Sequence, residues 1–369
     1  MSNVIRLGDY ITEISEKTTV NNQHMVLTSS QEGIVSQDDY FNKQVASKDN
    51  TGYKIIRRGQ FTYRAMSDTG RFYINRLTDY DIGIVSPAYP VFELRTNGQI
   101  LPEYLQEYFH SEHLQNAITL SSTGSTRVSL KLAKIADLRI DIPTLPKQQC
   151  AVQAISHVNH LISMQNSSAA KLDQLVKSRF VEMFVTIDDN RFGYKECSLQ
   201  DVCEPIKDGT HQTPEYTDDT AEGYKFLSSK DVTSGAIDWT HLKYIPEYLH
   251  RELYARIAPR KGDILLAKNG TTGVAAIVDR DEVFDIYVSL ALIRPLSVDT
   301  TYLWAAINST ETKRQFDRSL KGIGVPNLHL GEIKKVRILH PPKDKQSRFA
   351  AFVAEVDKSK LSYEMEVAA

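Results

Sequence analysis

The sequence predicts a mixed α/β fold (α+β in arrangement): two pseudo-repeated units separated by long helices with coiled-coil spacing. Three observations carry that prediction. A motif recurs at a fixed separation, each copy follows strand-like and then helical runs, and a long segment free of glycine and proline lies between the copies.

The recurrence is direct. Gly124-Ser125-Thr126-Arg127-Val128-Ser129-Leu130-Lys131-Leu132-Ala133-Lys134-Ile135 leads to Ile140-Asp141-Ile142-Pro143 and Gln148. Gly322-Ile323-Gly324-Val325-Pro326-Asn327-Leu328-His329-Leu330-Gly331-Glu332-Ile333 leads likewise to Ile338-Leu339-His340-Pro341 and Gln346. Each pair lies 198 positions apart, more than half of the 369 residues. Solenoid units run about 20 to 50 residues, so this period indicates duplication of whole globular units. Toward the N-terminus, Arg57-Arg58-Gly59-Gln60-Phe61 answers Arg260-Lys261-Gly262-Asp263-Ile264 and Gly70 answers Gly273, both at 203, while Leu7-Gly8-Asp9 answers Leu199-Gln200-Asp201 at 192. Asp68-Thr69-Gly70-Arg71-Phe72 and Thr271-Thr272-Gly273-Val274-Ala275 share a turn but not its decoration, as two copies would if each read something different.

Within each unit, β-branched and aromatic runs read as strands: Gln60 to Tyr63, Ile82 to Val85, Asp263 to Leu266 and Ile286 to Ile293. Pro102 to Phe109 and Thr301 to Ile307 read as equivalent helices, each followed by a second apolar-periodic stretch. Strands come first and helices late.

A proline-bounded helix follows each unit. Pro143 and Pro146, like Pro341 and Pro342, fix the entry, and Val152, Ile155 and Val158 correspond to Ala350, Val353 and Val356. In the first copy Ile155, Ile162, Ala169, Val176 and Met183 recur every seven residues, flanked by Leu161, Leu172, Leu175 and Phe180. Lys147 to Phe184 would form a rod of about 55 to 60 Å. Asn159, Asn166 and Asp173 on the seam favour pairing of two helices over a fully buried core helix. The expected divisions are 1–145, a first unit; 146–185, a helical spacer; 186–341, a second unit; and 342–369, a shorter helical repeat about two-thirds the length of the first.

Composition bounds the function without naming it. Hydrophobic residues make up 41% and charged residues 24%, ordinary globular usage. Cys150, Cys197 and Cys203 form no CxxC pair, so a reducing compartment is expected and a zinc site is not. The N-terminus lacks the apolar core of a signal peptide and no window approaches the roughly 18 apolar residues of a membrane span. A soluble, cytoplasmic protein with no membrane partner is expected.

A net charge of -2 argues against a free-standing nucleic-acid binder. Locally, Arg57, Arg58, Arg64, Arg71 and Arg76 cluster in the first unit, Arg251, Arg256, Arg260, Lys261 and Lys268 in the second, and Lys313, Arg314, Arg318 and Lys321 precede the second glycine turn. They are either phosphate-facing or a solvated surface balanced by acids elsewhere.

Two variable units, each closed by a G-x-x-x-x-S/N-L-x-L turn, an I-x-I-P or I-L-H-P exit and a glutamine-anchored helix, resemble the specificity subunit of a type I restriction-modification enzyme, a phage-defence system. Asp208-Gly209-Thr210-His211-Gln212-Thr213-Pro214, followed by Tyr224-Lys225-Phe226-Leu227, resembles the opening of many such domains. The resemblance implies two target recognition domains, each reading one half of a bipartite site in double-stranded DNA, with helices that set the spacing and dock the partners. It implies two modification subunits that carry S-adenosylmethionine and methylate adenine, and restriction subunits that use ATP and Mg2+; this chain itself would bind no cofactor or metal and catalyse nothing.

The chain's own residues agree. It carries no Asn/Asp-Pro-Pro-Tyr/Phe methyltransferase motif and no Walker lysine, and Lys268-Asn269-Gly270-Thr271-Thr272-Gly273 lacks the Gly-Lys-Ser/Thr ending of a phosphate loop. His211 is isolated and reads as a turn or surface residue. Candidate DNA-binding residues are Arg57, Arg64, Ser67, Asp68, Thr69, Arg71 and Arg127 in the first unit and Lys268, Asn269, Thr271, Thr272 and Lys321 in the second, with turn capping or solvent as the alternative role. Candidate subunit-interface residues are Ile155, Ile162, Leu172, Val176, Met183, Val353 and Val356. Lys268 and Asn269 are expected in a turn without a core role. Two other function classes compete: an autonomous DNA-binding regulator without methyltransferase partners, and an enzyme acting on a nucleotide, for which no catalytic constellation is found.

Overall fold

A computed structural model describes residues 3–40, 49–95, 98–120, 128–232, 235–270, 272–320 and 327–368. They form two compact units, Met1–Leu161 and Ile162–Ala369.

The first unit is built on a four-stranded antiparallel sheet in the order Ile11–Ile14, Val91–Leu94, Phe61–Thr62, Asn75–Arg76. Its apolar face meets helices Pro102–His110 and Glu112–Leu120, whose Leu105, Phe109, Leu114 and Ile118 join the same core. Phe61, Phe92 and Phe109 meet at centroid distances of 5.3, 5.9 and 6.0 Å. Full burial of such side chains stabilises by roughly 1.5–3 kcal/mol each.

The second unit repeats the plan. Its four-stranded sheet runs Lys207–Asp208, Leu290–Ile293, Ile264–Ala267, Ala275–Ile277, and helices Thr300–Ile307 and Thr310–Ser319 follow. Beside it lies a three-stranded sheet, Lys243–Ile245, Tyr224–Leu227 and Phe284–Ile286, its last pair parallel; the first unit has the smaller pairs Leu27–Ser30 with Gly33–Ser36 and Lys54–Arg57 with Ile82–Val85. The single strand expected over Ile286 to Ile293 is therefore two strands, Phe284–Ile286 and Leu290–Ile293. Between them the chain leaves one sheet for the other through a turn in which the Leu290 N–H donates to the Tyr287 carbonyl at 2.9 Å.

Each unit is closed by a ribbon with the duplicated register. Asn3 to Arg6 pair with Ile142 to Arg139, and Lys195 to Ser198 pair with His340 to Arg337. The repeated glutamines then latch the helix entries. Gln148, fully buried, donates to the carbonyls of Gln99 and Pro143 and accepts from the Leu101 N–H, all at 2.8 Å. Gln346 donates to the Pro341 carbonyl and accepts from the Asp299 N–H, both at 2.7 Å. A glutamine amide is suited to this task because it donates and accepts at once.

The long helix spans Leu145–Phe184, 40 residues, about 60 Å at 1.5 Å per residue. The C-terminal helix is Lys343–Ala368. In the second unit they pack antiparallel: Phe184 and Phe180 meet Phe349 at 5.5 and 5.6 Å, the Arg179 guanidinium lies 5.8 Å from the Phe352 ring, and Lys360 Nζ reaches Asp173 Oδ1 at 2.6 Å. Val176, Val353 and Val356 are buried there, with Leu172 and Met183 packed against them. Ile155 and Ile162 are 37% and 43% exposed. Among the described residues the seam is thus covered from Leu172 onward, whereas Ile155 and Ile162 are exposed. Among the described residues no helix is long and apolar enough to cross a membrane.

Candidate nucleic-acid interface

In each unit a turn leaves the end of a central strand and is held against the start of the duplicated motif. In the first, Met66–Ser67 pairs with Val128–Ser129, Met66 opposite Ser129, and the Leu130 N–H donates to the Ala65 carbonyl at 2.9 Å. In the second, Asn269 bridges to Asn327 and the Leu328 N–H donates to the Lys268 carbonyl at 2.9 Å. The pairs correspond at the offsets of the sequence repeat: 268 minus 65 is 203, and 328 minus 130 is 198. Leu130 and Leu328 are buried, so the motif's leucine anchors in the core while its N–H holds the turn. Gly70 and Gly273 end the turns at φ of 78° and 81°, a conformation that residues with a Cβ adopt only at a cost.

The side chains on these matched backbones differ. In the first unit, Ser67 Oγ lies 3.2 Å from Thr69 Oγ1 and accepts the Thr69 N–H at 3.3 Å, so both hydroxyls are engaged within their own turn. Arg71 is held by Glu112 Oε1 at 2.7 Å. Asp68 is exposed, and Arg64 is exposed without an ion pair among the described residues. Arg57 is committed to Glu16 in a two-pronged ion pair, one arm at 2.9 Å, whose hydrogen bonds hold the Glu16 carboxyl below its ordinary range.

Lys268 corrects an expectation. It continues a strand buried on both faces, is 5% exposed, and places Nζ 2.6 Å from Asp208 Oδ2. It has a core role and is not a surface reader. Burial pushes the Asp208 carboxyl up, but the Lys268 hydrogen bond and charge, with His211 adding to them, hold it below the ordinary value. Asn269 is half-buried, its Oδ1 unpartnered among the described residues. Thr272 is half-buried and donates its N–H to the Gly270 carbonyl at 2.9 Å. Arg127, Thr271 and Lys321, with the glycine-led turns around 121–127 and 321–326, lie outside the described residues.

Most of the cationic clusters are neutralised locally. Arg58 pairs with Asp81, Arg76 with Glu103, Arg251 with Glu247 and Arg260 with Glu204. Within these clusters, the exposed cations without such a pair among the described residues are Arg64, Lys261, Lys313, Arg314 and Arg318. The last three project from helix Thr310–Ser319, which turns Thr312 and Phe316 inward and is capped by Ser309. Phe316 underlies Gly273, where a Cβ would stand 3.0 Å from the ring, so this cationic helix flanks the second turn.

One further cluster in the second unit invites a catalytic reading. His250 Nδ1 lies 2.7 Å from Asp285 Oδ2, both buried, and the His250 ring stacks on Tyr224 at 3.7 Å. Burial pushes the Asp285 carboxyl up to about 6, moderated by His250. The adjoining cavity, lined by Gly209, Thr210, Arg256 and Asp285, is only ≈ 10 Å³, room for about one water and no substrate. Among the described residues no cluster of histidine, cysteine, aspartate or glutamate has the makings of a metal site.

The mixed α/β, two-unit architecture agrees with known structures. Residues 193–366 match the family model of the type I restriction modification DNA specificity domain. A chain from a structure concerned with complex assembly and conformational transition of the type I restriction-modification system superposes with a TM-score of 0.55 at 18% identity, covering 100% of this chain and 93% of that one. The type I restriction-modification S subunit from M. genitalium superposes with a TM-score of 0.50 at 11% identity, covering 100% and 92%. At these identities the likeness is one of fold. No curated protein matches the chain.

Proposed function

We infer that this chain, whose residues 193–366 match the type I restriction modification DNA specificity domain, is as a whole the DNA sequence-specificity subunit of a type I restriction-modification complex. The observation that carries this reading is the duplicated clamp: two turns held by the same backbone bonds and bearing unlike side chains. Such turns suit the reading of different base pairs in the major groove, where donors and acceptors distinguish all four pairs. Arg64, Asp68 and Arg71 in the first unit and Asn269 and Thr272 in the second are the side chains in place for this. Lys313, Arg314 and Arg318 supply phosphate contacts beside the second turn.

The long helix sets the spacing between half-sites, and the exposed apolar residues Ile155, Val158, Ile162 and Met164 are the surface on which modification subunits dock, two in number. Because most of the clustered cations are already paired, part of the phosphate grip falls to those partners. Methyl transfer with S-adenosylmethionine belongs to the modification subunits, and ATP- and Mg2+-dependent cleavage to restriction subunits; this chain reads and does not catalyse. The site of action is the cytoplasm.

Exchange of residues 1–142 for the equivalent unit of a relative, followed by sequencing of methylated DNA from cells that also express the modification subunits, tests this. One half of the methylated motif is expected to change. Change in both halves, or in neither, would overturn the modular reading, and tight sequence-specific binding by the purified chain alone would favour an autonomous regulator.

A further inference from the structure

We propose that Asp208 is the positioning residue of the second unit's reading turn, which it ties through the Lys268 ammonium to a fixed point of the sheet, and that base discrimination at the second half-site depends on this clasp. The proposal rests on the specificity-subunit reading.

Asp208 is anchored on every side. Its strand pairs with Leu290–Ile293, placing Asp208 opposite Ala291. The next residue, Gly209, passes so close to another strand that a Cβ would stand 1.9 Å from the Ile286 carbonyl oxygen, and only glycine fits. Thr210 then bonds across to the neighbouring segment, its N–H donating to Ile286 O at 3.2 Å and its carbonyl accepting from the Val288 N–H at 3.0 Å. Arg256 Nη2 donates to the carbonyls of Asp208 and Gly209 at 2.6 and 2.8 Å, and His211 Nε2 lies 3.3 Å from Asp208 Oδ2.

Lys268 is where the turn begins. Its N–H donates to Ser289 O at 2.8 Å and its carbonyl accepts from the Leu328 N–H, so its backbone is already fixed, and the 2.6 Å ion pair fixes the side chain too. Replacing a buried ion pair by apolar residues is often neutral for stability, so the pair's value lies in geometry. Ala65 stands at the matching place in the first unit and carries no charge. There the turn is held by Ser67, Thr69 and the Arg71–Glu112 pair. A turn held in one geometry discriminates bases better than one that must be ordered on binding.

The test uses the full chain assembled with its modification subunits and DNAs that carry each single-base change in either half-site. Asp208→Asn and Lys268→Met are expected to lose discrimination at the second half-site by about tenfold or more, the scale of one base contact, and to keep it at the first. Lys268→Arg, which retains a cation in reach of Asp208, should discriminate better than Lys268→Met. Should either single variant fail to fold, the double variant Asp208→Leu with Lys268→Met removes both charges and carries the same expectation. Folded variants that retain second-site discrimination, that lose both half-sites equally, or in which arginine does no better than methionine, overturn the proposal. A wild-type assembly without two-part sequence preference overturns the specificity-subunit reading itself.

Discussion

The two units solve one structural problem with different chemistry. Where the central strand begins, the first uses Gln60, which accepts the Arg57 N–H at 2.9 Å and donates to Glu93 at 3.1 Å. The second uses Asp263, which accepts the Arg260 N–H at 2.9 Å and is gripped twice by Arg294 at 2.7 Å. The backbone bond is the same, and the partner has changed from a neutral amide and a carboxylate to an ion pair between the buried Asp263 and the half-buried Arg294. The reading turns diverge in the same way, a self-bonded Ser67 and Thr69 on one side and Lys268 on Asp208 on the other. Duplication has preserved backbone pairings, which any side chain leaves intact, while the groups around them have drifted apart.

The largest expected effect exploits that contrast. Arg294→Ala leaves Asp263, 1% exposed, without its counter-ion and should destabilise the second unit by about 3–5 kcal/mol. Glu93→Ala removes one bond to a neutral amide and should cost the first unit about 1 kcal/mol. Urea unfolding followed unit by unit by hydrogen exchange separates the two, and equal losses would break the comparison.

The glutamine latches should behave alike, since here the side chain itself is duplicated. Gln148→Ala removes the side-chain partner of three backbone groups at the helix entry and should cost the first unit about 2–4 kcal/mol. Gln346→Ala removes that of two and should cost the second unit about 1 kcal/mol less. The same exchange experiment reads both, and a harmless Gln346→Ala would show that the two latches are not equivalent.

The smallest effects are at the exposed turn. Arg71→Ala breaks a solvent-exposed pair with Glu112 and should change stability by under about 1 kcal/mol. Arg64→Ala should stay within about 0.5 kcal/mol. Both should weaken DNA binding by the assembled complex at the first half-site, measured by competition with single-base variants; unaltered binding by both would remove this turn from the interface.

Much of the fold was legible in the sequence because its signals are local. Left-handed glycines, a leucine that anchors each motif, proline at helix entries and a seven-residue apolar period each act within a few residues. The break at Tyr287 to Ser289 was not legible, because an apolar run looks the same whether it serves one sheet or two. Candidate site residues were legible as polar groups in unmatched turns, but their occupation was not. Glu16 is 41 positions from Arg57, and Asp81 is 23 from Arg58.

By itself, then, the sequence determined the duplication, the class of each unit and the run of the long helix, since sterics and periodicity settle those over short distances. Only the tertiary structure decided which part of the helical seam is covered, which cations are already neutralised, and that Lys268 lies inside. Its partner Asp208 is 60 residues away, and whether a lysine stays in water or exchanges it for a carboxylate depends on which strands the fold brings beside it.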